Sequence, residues 1–380
     1  MDTASAASSR PSGRTPGPSR DRRPRRRGRR PGAALAVLVS CGLVAVLAAC
    51  SGPTAPSASA THARTGYRGH VVTKAAEPGD APPPPVTPAG RVVRLPATAH
   101  PWGVAVADSV HTVYLAERKQ DRLIRYDMDT GAVTTKAVPG SARMIDLADP
   151  DGPLLLPAED RDRLYTLALP SLHLVSSAST GRHPHQAVRV NSTTFLTEEF
   201  GHGVRALRNG RTVAHFTQPV QPGGITAVGN RVAVVDVAAN LLFVYDATTL
   251  RLVAALPAGA GPSHVVPIGG DRVAVCDVRG NAVLTYDIGG TPRALGRAAV
   301  PGRAFWIRAD AATGTIYTAL ANTDTIAQLR VRADGAPQLV RTVPTVRQPV
   351  SFDRDPATGD LYVGGYADSQ LQVIPASAFR

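Results

Sequence analysis

The sequence predicts an all-β fold, a seven-bladed β-propeller whose ring is closed by an N-terminal strand. Three observations carry that expectation. Residues 231–246 recur with few changes as residues 272–287, an offset of 41, and a period near 40 with strand-type alternation in each copy marks a propeller blade. After Gly90 nearly every apolar run is short, β-branched and closed by Gly, Pro, Asn or Asp, with no helical period sustained beyond a turn or two. Seven anchors at the end of the third strand of each unit, Tyr126, Leu167, Leu207, Tyr245, Tyr286, Leu329 and Ile374, lie 41, 40, 38, 41, 43 and 45 residues apart and so count the blades.

In chain order, residues 1–49 read as a lipoprotein signal peptide. Residues 1–30 hold ten arginines against Asp2 and Asp21, a balance of +8 out of the formal +13, which leaves +5 for the rest. The basic character therefore belongs mostly to a removable leader, and no nucleic-acid partner is expected. Residues 31–49 carry no charge and have the length of a secretory apolar core. They end in Leu47-Ala48-Ala49-Cys50, which resembles a bacterial lipobox, with Cys50 as the lipidated first residue of the mature chain. That resemblance implies export and a lipid anchor on the outer face of the cytoplasmic membrane. Arg22-Arg23 and Arg29-Arg30 leave general and twin-arginine export both open. Of the three cysteines, Cys41 leaves with the leader and Cys50 takes lipid, so Cys276 stands alone and no disulfide can form within the mature chain.

Residues 50–90, rich in Ser, Ala, Thr and Pro, read as a disordered tether, which 66–73 interrupts with the pattern of a short strand. Residues 91–380 are the propeller. The chain ends too soon after Ile374 for a full fourth strand, and 91–95 has the length and alternation to supply it, so this segment is expected to latch the last blade. Within the blades, the Tyr-Asp pairs at 126, 245 and 286 are read as architecture: Tyr packs between blades and Asp opens the next turn.

The units built on Tyr114-Leu-Ala-Glu117 with Tyr126-Asp127, on Asp236 to Asp246 with Thr248-Thr249, and on Ala260-Gly-Pro-Ser-His-Val-Val266 resemble the YVTN-type repeat of bacterial surface and periplasmic propellers, the YncE-like group. The resemblance implies a propeller that binds varied partners. Phe195-Leu-Thr-Glu-Glu-Phe-Gly-His-Gly-Val-Arg205 is similar to the repeats of streptogramin lyases, which implies a seven-bladed ring and metal-assisted elimination with a His.

In such a ring, first-strand starts and second-strand ends surround one mouth of the channel. Trp102, Arg143, His185, His264, Arg303 and Gln348 are expected at the first set of positions, and Glu117, Glu159, Glu198, Asp236 and Asp277 at the second. Asp236 and Asp277 repeat in register with Asn240 and Asn281, so they are read as turn-builders. The residues that break the repeat, Trp102, Arg143, His185, Glu198, His264 and Arg303, are the candidates for ligand binding. His183 and His185 should splay apart about Pro184 on an extended chain, so no dedicated transition-metal site is expected from them. No nucleophile elbow, P-loop or dinucleotide fingerprint appears, and haem attachment is excluded by the cysteine count. The expected activity is a monomeric, membrane-anchored scaffold that binds a ligand or protein through one face, with no cofactor. The alternative is a metal-assisted lyase or lactonase with His185, Glu198 and His264 at the channel mouth, where a divalent ion would act.

Overall fold

A computed structural model of the protein describes residues 74–79 and 82–380. The leader, Cys50 and the strand pattern at 66–73 lie outside the described residues. Those described form seven four-stranded antiparallel sheets. The first strand of each blade touches the first strands of its neighbours, blade one against blade seven included, so the ring is closed. Among the described residues no helix is long and apolar enough to cross a membrane.

Blades four and five show why the sequence repeats. Arg231–Asp236 pairs with Leu241–Asp246 so that Arg231 faces Asp246 and Asp236 faces Leu241; Arg272–Asp277 and Ala282–Asp287 pair in the same register. At the closing end, the Asp277 carboxylate accepts hydrogen bonds from the backbone N–H groups of Ala260, Gly261 and Gly280 at 2.8–3.0 Å. Asp236 does the same for Gln221, Ala238 and Ala239 at 2.8–3.2 Å. The turn then passes through Asn240 (φ 58°) and Asn281 (φ 49°), a left-handed conformation that Asn tolerates. The repeated Asp and Asn residues thus build the turn.

Each anchor residue lies in the third strand of its blade. Tyr126, Tyr245 and Tyr286 are buried. Tyr126 meets Tyr362 of blade seven at 6.1 Å between ring centroids, and Tyr286 donates its hydroxyl to the Pro257 carbonyl of blade four at 2.7 Å. Asp127 and Asp246 accept hydrogen bonds from the next turn, at Thr130 and Thr249.

The N-terminal strand Arg91–Arg94 completes blade seven by pairing antiparallel with Gln370–Ile374, Arg91 opposite Val373 and Arg94 opposite Gln370. Leu95 extends the contact with a hydrogen bond to the Ser369 carbonyl and is itself buried. Blade two departs most from the pattern, because its first strand is reduced to Asp146–Leu147.

Candidate functional site at the channel mouth

What aims side chains into the channel is a bulge at the start of the first strands. Pro101, Pro184, Pro222, Pro262 and Pro349 each face the last residue of the second strand, and the ladder then slips before it resumes. A bulge re-aims the residues it sets free. Those residues are Trp102 in blade one, His185 and Gln186 in blade three, Ser263 and His264 in blade five and Val350 in blade seven, with Phe305 in the same place in blade six. His185 is therefore the first bulge residue of its blade and His264 the second, so the two are not in equivalent positions.

The second contribution comes from the residue just past each second strand. Glu117 and Glu198 are the last paired residues of blades one and three, whereas Glu159 follows the end of Leu154–Ala158. Its counterpart in blade three is Glu199.

Blades two and three together form a charged half of the mouth. Arg143 donates from Nε to Glu159 Oε1 at 2.6 Å and from Nη2 to Glu199 Oε2. Gln221 Nε2 donates to the other Glu199 oxygen at 2.9 Å. His185 Nδ1 lies 3.2 Å from Glu159 and 3.9 Å from Glu199. His183 does not splay away: at φ 57° the chain turns back, which leaves its ring nitrogens 3.6 Å from Glu159 and 3.5 Å from Glu199. Burial pushes both carboxyls up, but His183, His185, Arg143 and Gln221 more than offset it, so Glu199 is held well below the usual range and Glu159 is lowered as well. Desolvation of Arg143 is likewise outweighed by its two carboxylates, and the guanidinium stays charged. Two carboxylates thus converge on one guanidinium and two imidazoles.

His264 stands deeper. Its Nδ1 donates to the Phe305 carbonyl at 2.8 Å, its ring lies 4.3 Å from Trp306, and Nε2 is buried without a partner. Because a carbonyl can only accept, Nδ1 carries the proton and Nε2 presents a bare lone pair. Burial, then the neighbouring His185, pushes its pKa down to about 3, so the ring is neutral at physiological pH. The opposite half of the mouth is mainly apolar and aromatic, with the Arg118 guanidinium 5.5 Å from the Trp102 ring centroid. Trp102 meets Tyr366 edge-on at 5.1 Å and Phe305 at 6.4 Å, its indole N–H is buried without a partner, and Val278 packs in the same cluster.

Other candidates lie elsewhere. Glu198 is buried one position away from the mouth, where it accepts the Gly181 N–H at 2.6 Å and pairs with Arg205 and His215. A Cβ on Gly181 would come within 2.3 Å of that carboxylate, so Glu198 closes its own blade as Asp236 and Asp277 do. It therefore does not join His185 and His264. Glu117 is similarly engaged by Arg122 at 2.6 Å. Arg303 and Gln348 occupy left-handed positions in the turns before blades six and seven, and Gln348 bonds the Gly79 carbonyl. Sequence reading placed neither Gln221 nor Phe305 at the mouth, weighed Glu199 only as a metal ligand beside His202 and set that aside, and took Glu198 for the mouth, although the 40 residues that separate Leu167 from Leu207 also separate Glu159 from Glu199.

No protein-family model matches the sequence, and no curated protein is similar to it at a significant level. Solved structures do resemble it. U3-55K superposes with a TM-score of 0.67 at 11% identity, over 76% of this chain and 100% of that one. Virginiamycin B lyase from Staphylococcus aureus gives 0.62 at 14% identity, over 74% and 97%. Kuenenia stuttgartiensis hydrazine synthase gives 0.62 at 16%, over 75% and 97%. The likeness is one of fold. Proteins with such different names share it, so function must be argued from the mouth itself.

Proposed function

We propose that this chain is an extracytoplasmic propeller, held by lipid on Cys50 at the outer face of a bacterial cytoplasmic membrane and akin to the YncE-like group, that binds a ligand through the mouth built by blades one, two, three, five and six. The observation that carries the reading is the division of that mouth. A carboxylate-rich group on one side, an aromatic wall on the other and two buried unpartnered atoms, His264 Nε2 and Trp102 Nε1, together match a ligand with a cationic or hydrogen-bonding end on an apolar body. The sequence Leu47-Ala48-Ala49-Cys50 supports the anchor.

Phenylethylammonium is the simplest probe of that chemistry. In a chain lacking residues 74–79, which otherwise cover the mouth, saturable change in tryptophan fluorescence, at least tenfold weaker once Glu199→Gln is added, is the expected result; no saturable change up to millimolar probe would remove the reading. For the anchor, Cys50→Ala should release the protein from the membrane fraction.

The alternative, a metal-assisted lyase, has one observation in its favour. Donor atoms of Glu159, His185 and Glu199 lie within 4.8 Å of one another, the spread of a ligand set for one cation. Arg143 already bonds both carboxylates, however, so an ion would have to take the place of its guanidinium. Calorimetric titration with magnesium, manganese and zinc separates the two readings, since stoichiometric binding lost in His185→Gln would favour the enzyme.

A further inference from the structure

Residues 74–79 cross the mouth as an extended strap. Arg279 donates from Nη1 to the Lys74 carbonyl at 2.8 Å, and Gln348 donates from Nε2 to the Gly79 carbonyl at 2.8 Å. Between these two clamps Ala76 is buried in the apolar cluster of Trp102, Met144, Val278, Phe305 and Trp306, and Pro78 is buried as well. The approach is close: a Cβ on Gly261 would lie 3.0 Å from that of Ala76. With the strap in place, the space beneath it is about 40 Å³, room for roughly one water molecule. Any larger ligand must displace the strap.

The contacts say what kind of molecule can replace it. Both clamps hold backbone carbonyls, which every residue offers, so they select an extended chain rather than a particular sequence. The one strict side-chain demand is at Ala76, where the methyl fills the gap between aromatic walls. Glu77 adds an acidic group to a mouth that already holds Glu159 and Glu199. We infer that the mouth is a binding site for an extended peptide that presents a small residue followed by a neutral or basic one, and that residues 74–79 are its resident occupant in cis. This rests on the reading of the mouth as a binding site and names its partner. Because the strap is covalently attached, its effective concentration is in the millimolar range, so a peptide making the same contacts in trans is masked in the native chain.

The probe is the hexapeptide Lys-Ala-Ala-Lys-Pro-Gly, read by the intrinsic fluorescence of Trp102 and Trp306, the only two tryptophans of the chain, both in the cluster that receives Ala76. Ala76→Arg in the full chain evicts the strap, and deletion of residues 74–79 is the second variant should the first misfold. Both should bind the peptide at least tenfold more tightly than the native chain, and adding Arg279→Ala and Gln348→Ala should abolish the gain. Equal binding by the native chain and both variants, or a gain that survives loss of the two clamps, overturns the inference. Should phenylethylammonium still bind while the peptide does not, the strap inference fails alone; should neither bind, the mouth reading fails with it.

Discussion

Arg143→Met is the sharpest perturbation of the charged half. The guanidinium and both carboxylates have side chains only 10% exposed, so the pairs are shielded from solvent screening. Methionine keeps most of the volume and removes the charge, which leaves Glu159 and Glu199 with His183, His185 and Gln221 as their remaining partners. Removing one partner of a buried ion pair costs about 3–5 kcal/mol, a large share of the ~5–15 kcal/mol by which a domain is stable. The pH dependence should also weaken. In the native protein both carboxyls titrate below their unfolded value, near 4.3. Their contribution is thus present above about pH 5 and is lost as pH falls through the lowered folded values. Without Arg143 one of the causes that lower both carboxyls is gone, so their folded values move up towards the unfolded one and less stability is lost as pH falls below about 5. Urea unfolding followed by tryptophan fluorescence at pH 3, 4, 5 and 7 measures both effects. A loss below about 1 kcal/mol, or a pH slope that matches the native protein, would refute the reasoning.

Two further perturbations test the frame and the deeper histidine. Deleting residues 91–95 removes about four ladder hydrogen bonds at ~1 kcal/mol each and the burial of Leu95 at ~2 kcal/mol, so a melting temperature lower by more than about 10 °C is expected, and a drop of under 3 °C would sink the latch. His264, folded pKa about 3 against roughly 6.5 unfolded, takes up its proton in the unfolded chain first; stability therefore falls as pH goes below about 6.5, by up to ~1.4 kcal/mol per pH unit. His264→Gln should flatten that segment of the stability curve, and an unchanged slope would show that the ring is not neutral when folded.

What was legible in the sequence was what repeats. The anchors count seven blades because each third strand must place a large apolar residue between sheets at the same depth, and 91–95 is readable as a strand because the last blade lacks one. The tether was only partly legible: composition predicts a free chain to residue 90, yet Ala76 and Pro78 are buried and Ala89 bonds the Pro344 carbonyl. Small residues and prolines carry little apolar area, so their docking leaves no periodic trace. The site was legible to within one residue. Strand alternation turns successive side chains to opposite faces, and the second strand of blade three stays in register to its last residue, Glu198, so the residue that reaches the mouth is the next one, Glu199, beyond a strand end that no composition signal marks.

That one-residue offset separates two kinds of acid that look alike in the sequence. The last paired position of the second strand carries Glu117, Glu198, Asp236 and Asp277, and there the carboxylate is consumed by backbone N–H groups or by a neighbouring arginine of its own blade. The next position carries Arg118, Glu159 and Glu199 in blades one to three but Val237 and Val278 in blades four and five. Glu159 and Glu199 bond Arg143 and Gln221, side chains of the mouth, so this position answers to the channel rather than to its own turn. Exchanging Val278 for Thr keeps the shape of the buried side chain and touches no turn bond, so the blade should stay intact, while a hydroxyl set against the aromatic wall disturbs binding at the mouth. Glu198→Gln should do the reverse, lowering stability through Gly181 and Arg205 while the mouth keeps its charge pattern. Melting temperature and phenylethylammonium binding, measured on both variants, decide the assignment: two variants that fail in the same way would mean that the two positions do not have separate roles.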